Sequence, residues 1–132
     1  MTANNDTNAP VSVEVVTDKG HMRQFLALPH RIYASDPAWI APLDFMKREQ
    51  MSPKNHFFEH ARLRAWVAYR SGQPVGRITA QIDTMHLQQH ADDTGYFGML
   101  EAIEDAAVFA ALFGAAENWL RSEGMTRVRG PF

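Results

Sequence analysis

Residues 95–129 read GYFGMLEAIEDAAVFAALFGAAENWLRSEGMTRVR, and this stretch decides the fold. Its start, Gly95-Tyr96-Phe97-Gly98-Met99-Leu100, is aromatic and apolar, which suits a strand ending around Glu101 to Ile103. From Asp105 onward Val108, Phe109, Leu112, Phe113, Ala116, Trp119 and Leu120 fall on one helical stripe, with Glu117 and Arg121 as an i,i+4 pair outside it. Gly124 suits the left-handed residue that ends such a helix, and Thr126-Arg127-Val128-Arg129 reads as a returning strand. Strand, helix and strand form a crossover that places the two strands parallel in one sheet.

Working back from Gly95, a polar loop of Gln, His and Asp separates this unit from a hairpin. Leu63 to Tyr69 and Val75 to Asp83 flank Ser71-Gly72-Gln73-Pro74, and Ile78, Ala80 and Ile82 alternate with Arg77, Thr79, Gln81 and Asp83. Further back, Val11 to Val16 reads VSVEVV, with Val11, Val13 and Val15 on one face of a first strand. Thr17 or Asp18 can cap a helix carrying Met22, Phe25, Leu26, Pro29, Ile32 and Tyr33 at helical spacing, kinked at Pro29 and ending near Ser35-Asp36-Pro37. A second, short amphipathic helix is expected over Pro42 to Gln50. The expected order is β-α-α-β-β-β-α-β, an α/β (α+β) domain over residues 11–132. Met1 to Pro10, rich in Asn and Thr, is expected to be a disordered segment.

Composition narrows the function. A 132-residue chain with 45% hydrophobic and 21% charged residues is an ordinary single globular domain. With no Cys there is no disulfide framework, thiolate metal site or Cys nucleophile. Residues 1–10 carry neither a basic n-region nor an apolar h-region, so the cytoplasm is the default compartment. The longest mostly apolar stretch, Ala106 to Ala116, is shorter than the roughly 20 residues of a membrane span, so no membrane partner is expected. A net charge of −2 without a basic stripe argues against a nucleic-acid partner.

Several motifs are weighed and set aside. His56-Phe57-Phe58-Glu59-His60 matches H-x-x-E-H, but it follows Pro53 and runs into a strand where the peptidase motif needs a helix. Phe57 and Phe58 are better read as packing on the sheet. His86 and His90 stand four apart among Gln88, Gln89, Asp92 and Asp93, the composition of a solvated loop, so no metal is expected. G-x-G-x-x-G, G-x-x-x-x-G-K-[ST] and G-x-S-x-G are all absent. What remains is the turn into the Asp105 helix, whose free N–H groups form a ready anion site.

The order of elements from Val11 to Phe132 resembles the GNAT superfamily of N-acetyltransferases. The resemblance to bacterial GNAT-like proteins is carried by Asp36-Pro37-Ala38-Trp39, Pro42-Leu43, His56 to His60, Val75-Gly76-Arg77-Ile78, Gly95-Tyr96-Phe97-Gly98 and Arg129-Gly130-Pro131. It implies that the turn into the long helix holds the pyrophosphate of acetyl-CoA, here through Asp105, Ala106, Ala107 and Val108, while splayed neighbouring strands admit the pantetheine. The family's [QR]-x-x-G-x-[GA] motif is altered: Glu104 stands at the Gln/Arg position, Ala107 at the first Gly and Phe109 at the last. Glu104 and Asp105 add negative charge where an anion should dock; equally, Asp105 can be a plain N-cap and Phe109 a core residue.

The resemblance further implies that Glu101, at the strand end before this turn, is a general base. The family's acid Tyr would lie beyond Phe132, where the rest of the fold is expected. Tyr33, Tyr69 and Tyr96 read as packing residues. Two functions follow as expectations: an acyl-CoA-dependent N-acyltransferase acting on an amine, or a non-catalytic GNAT-like module with a degenerate acetyl-CoA site. In the second, the open sheet edge pairs with another chain, such as a second copy.

Overall fold

The computed structural model describes residues 9–38, 61–84 and 92–131. Five strands form one sheet in chain order: β1 (Val11–Val15), β2 (Ala61–Arg70), β3 (Gln73–Asp83), β4 (Thr94–Ala102) and β5 (Arg127–Arg129). The first four are antiparallel to their neighbours, and β5 lies parallel to β4, as the crossover requires. Helix α1 (Lys19–Ile32) covers one face and helix α2 (Ala106–Ser122) the other. This is the mixed α+β architecture expected of the sequence. The expected Pro42–Gln50 helix, His56–His60, His86, His90 and Phe132 lie outside the described residues.

The β2–β3 hairpin is tighter than its sequence suggests. Ser71 and Gly72 alone turn the chain, at φ 51° and 77°, a two-residue turn whose twist matches that of the strands. Gln73 and Pro74 therefore belong to β3 and not to the loop. The ladder slips beside Pro74, which has no N–H to contribute: Ala68 pairs with Gly76, but Tyr69 pairs with Pro74.

Each strand sorts its side chains by the two-residue pleat. Trp66, Ala68, Ile78, Ala80 and Ile82 face α2, meeting Val108, Leu112, Ala116 and Leu120. Val11, Val13 and Val15 join that same face. Two glycines let α2 sit close to the sheet. A Cβ on Gly76 would lie 2.8 Å from Leu112 Cδ1, and one on Gly95 would lie 2.6 Å from Leu120 Cδ2. On the opposite face Phe25 packs with Ala65, Val67 and Tyr69, and the Tyr69 hydroxyl donates to Gln24.

Both helices start on an aspartate cap. Asp18 accepts from His21 N at 2.7 Å and Asp105 from Ala107 N at 2.9 Å, each satisfying one of the orphan amides of a first turn. At the far end of α2, Gly124 takes φ 88°, as the sequence indicates, and Arg121 donates to Asn118. No helix among the described residues is long and apolar enough to cross a membrane.

Candidate functional site

The site is built on an irregularity in β4. Thr79 pairs with Gly98 and Arg77 with Glu101, so β3 advances two residues while β4 advances three. The extra residue is accommodated at Met99, whose φ of 48° is left-handed although it is not glycine. A bulge of this kind reverses which face the following side chains take. Tyr96 and Gly98 stand opposite Gln81 and Thr79, so strict alternation would send Glu101 to the α2 side. The bulge instead sets Glu101 opposite Arg77, on the α1 side.

Arg77 locks this arrangement. It is 5% exposed and stacks over the Phe25 ring, 4.8 Å from its centroid. Its Nε donates to the Met99 carbonyl at 3.1 Å, holding the bulge, and its Nη1 donates to the Phe25 carbonyl at 2.9 Å. The second bond has a cause in the sequence. In an α-helix the Phe25 carbonyl would accept from the N–H of residue 29, but Pro29 has none. The guanidinium supplies the missing donor, and the helix runs on through Pro29 to Ile32. Burial lowers the pKa of Arg77, while Glu101 and Tyr33 pull it back up; an arginine remains charged throughout.

Tyr33 sits at the C-cap of α1, and its hydroxyl donates to Glu101 Oε2 at 2.6 Å. That hydrogen bond is the chief reason its pKa is raised, followed by burial and the Glu101 charge. Tyr33 is therefore more than the packing residue read from its helical spacing. Neither Tyr33 nor Arg77 stands out in the sequence, because the bond to Glu101 spans 68 positions and depends on the bulge.

A second cluster surrounds the start of α2. Asp105 Oδ1 holds the Ala107 amide, and the Asp105 carbonyl accepts from Val108 N at 3.1 Å and Phe109 N at 3.2 Å. The other carboxylate oxygen meets Arg70 Nη1 at 2.5 Å. Arg70 is itself 5% exposed and donates from Nε to the Ala9 carbonyl. The Arg70 hydrogen bond, then the Ala107 amide, push the Asp105 pKa below the usual carboxylate value. The helix start is thus an anion site occupied by the chain's own carboxylate.

β5 runs along the outer edge of β4. β4 and β5 pair at Thr94 with Arg127, Gly95 with Val128 and Tyr96 with Arg129. All three residues of β5 are used in this pairing, and Gly130 after it still lies against Phe97, where an added Cβ would come within 2.7 Å of the Phe97 carbonyl oxygen.

The described residues contain no group of three or more His, Asp or Glu placed to hold a metal ion. A separate depression of about 550 Å³ lies between α1 and the β1–β2 edge, lined by Glu14, Asp18, His21, Gln24 and Tyr69 among others. It shares no residue with either cluster.

The chain has a GNAT-like fold, shared with solved acetyltransferases. AAC(6')-Iy in complex with the bisubstrate analog CoA-S-monomethyl-acetylneamine superposes with a TM-score of 0.61 at 13% identity, over 92% of this chain and 79% of that one. An aminoglycoside acetyltransferase from an uncultured soil metagenomic sample, solved with sisomicin, gives 0.60 at 16% identity, over 90% and 75%. At such identities the likeness concerns the fold.

Two curated proteins are much more similar in sequence. Protein YghO of Escherichia coli K12 is 50% identical over 120 residues, which is 91% of this chain and 31% of that protein. A bacterial ceramide synthase of Caulobacter vibrioides is 46% identical over 128 residues, 96% of this chain and 33% of that protein. The chain spans about a third of the length of these relatives. No family model matches it.

Proposed function

We propose that residues 11–132 form part of an acyl-CoA-dependent N-acyltransferase domain that makes an amide on an amine substrate, working in the cytoplasm. The observation that carries this reading is the hydrogen-bonded Glu101, turned by the Met99 bulge to the α1 side near the end of the strand that leads into α2. Similarity to a ceramide synthase favours a long-chain amine and a fatty acyl donor over an aminoglycoside.

A bound acyl-CoA supplies the activated acyl group as a thioester. The chain's part is to bind and to move a proton. An amine that becomes an amide must lose a proton, and Glu101 is the carboxylate assigned to take it, directly or through water. Asp105, Ala106, Ala107 and Val108 form the turn assigned to the diphosphate, with Arg70 as an adjacent cation. An incoming diphosphate competes there with the Asp105 carboxylate for the Ala107 amide and for Arg70.

That competition also favours a second reading, in which Asp105 closes the anion site permanently and the fold serves as a non-catalytic module. Such a module would pair the open edge of β5 with a partner chain, for which a second copy is the simplest choice.

Thermal unfolding with and without acyl-CoA separates the two. A ligand at 100 times its dissociation constant adds roughly 2.7 kcal/mol, which for a domain of this size raises Tm by about 10 °C. Transfer is then followed as CoA thiol released from palmitoyl-CoA in the presence of sphinganine. An unchanged Tm at millimolar acetyl-CoA and palmitoyl-CoA would leave only the second reading.

A further inference from the structure

Tyr33 belongs to the other layer of the fold from Glu101, yet the two are joined by a short bond whose ends are both fixed. On one side, Arg77 Nη1 holds the Phe25 carbonyl, two helical turns before Tyr33, so α1 is tied to β3 in the helix that ends at the phenol. On the other, Arg77 Nε holds the Met99 carbonyl, two residues before Glu101, in the bulge that orients the carboxylate. One buried side chain thus sets the positions of both partners. At 2.6 Å the phenol–carboxylate contact has the length of a charge-assisted O–H···O⁻ bond.

We propose that Tyr33 is a positioning residue for Glu101: its phenol holds Oε2 as an acceptor and leaves Oε1 as the oxygen that takes the amine proton. The inference rests on the assignment of Glu101 as base in the transferase reading. A carboxylate on a half-buried strand end has several rotamers, and only one brings a given oxygen to the substrate. The phenol selects that rotamer before the amine arrives. Among the described residues, the charged groups around the pair are Arg77 from β3 and Asp36 from the segment after α1.

The experiment is a double-mutant cycle in the full chain, with CoA release from palmitoyl-CoA and sphinganine as the rate. Tyr33→Phe removes one oxygen and keeps the ring. It is expected to lower kcat about tenfold at unchanged KM, the loss of one charge-assisted hydrogen bond. In a Glu101→Gln background, which is itself slower, Tyr33→Phe is expected to cause no further loss. A Tyr33→Phe variant as fast as wild type, a loss confined to KM, or a full tenfold loss repeated in the Glu101→Gln background overturns the inference.

A second readout needs no turnover. The Tyr33 phenol carbon, labelled with carbon-13, is expected to titrate above the ordinary tyrosine value and to move back toward it in Glu101→Gln; a midpoint that stays in place also overturns the inference. A wild-type chain that releases no CoA sinks the transferase reading itself, whereas an active wild type matched by Tyr33→Phe sinks only the role given to Tyr33.

Discussion

Replacing Arg77 by Met keeps most of the aliphatic volume and removes the guanidinium. The buried carbonyl of Phe25 and the part-buried carbonyl of Met99 then lose this donor. Each unsatisfied carbonyl costs about 1–1.5 kcal/mol, so Arg77→Met is expected to destabilise the fold by about 2–3 kcal/mol and lower Tm by roughly 10 °C. The cause can be isolated, because one carbonyl lacks an internal partner only through Pro29. Pro29→Ala restores a backbone N–H four residues beyond Phe25, which in the Arg77→Met background has a free acceptor to meet. Urea denaturation of the four proteins in this cycle is expected to show Pro29→Ala more favourable in the Arg77→Met background than in wild type, by about 1 kcal/mol. Equal effects of Pro29→Ala in both backgrounds, or a loss under about 0.5 kcal/mol for Arg77→Met, would refute the reasoning.

Two other substitutions test the packing and the helix start. Gly95→Ala forces a methyl group to within 2.6 Å of Leu120 Cδ2 and is expected to cost about 1–3 kcal/mol, read as a lower urea midpoint at unchanged slope. The pKa of Asp105 is depressed from 3.8 in the folded chain, mainly by Arg70. Its contribution to stability is therefore complete above the unfolded value and lost as pH falls through the lower folded one. Asp105→Asn is expected to flatten that acid limb in thermal melts below the ordinary aspartate range, and to tighten acyl-CoA binding by removing the competing charge. An acid limb as steep as that of wild type counts against the Arg70 pairing.

Much of the fold is legible in the sequence because local signals agree with the tertiary arrangement. The valines of β1, the Ile78-Ala80-Ile82 series of β3 and the stripe from Val108 to Leu120 all point to the buried face that the structure shows. Asp18 and Asp105 announce the two helix starts. The cluster around Glu101 is harder to see. Nothing in Gly98-Met99-Leu100 signals a left-handed methionine, yet that residue decides which face carries the carboxylate. Arg77 alternates with apolar neighbours as an exposed residue would, but α1 lies across that face and buries it. One clue was available: a proline within an amphipathic helix orphans a carbonyl, and a buried arginine on a facing strand is a suitable donor. The Arg70 contact with Asp105 offered no local clue, since it joins residues 35 positions apart.

The bonds around Arg77 also form a ring. From Arg77 the path crosses to Phe25, follows α1 to Tyr33, passes through the phenol to Glu101, and returns along β4 by Met99 to its origin. Mechanically this is a closed linkage: no single joint can rotate unless the others rotate with it, so drift of the helix end or breathing of the strand is resisted by the whole circuit. The tie between Arg70 and Asp105 has no such closure through α1 and the bulge, so it can be broken without opening the ring. The fold thus sets a carboxylate held in a closed ring, Glu101, four residues before one held by an open tie, Asp105.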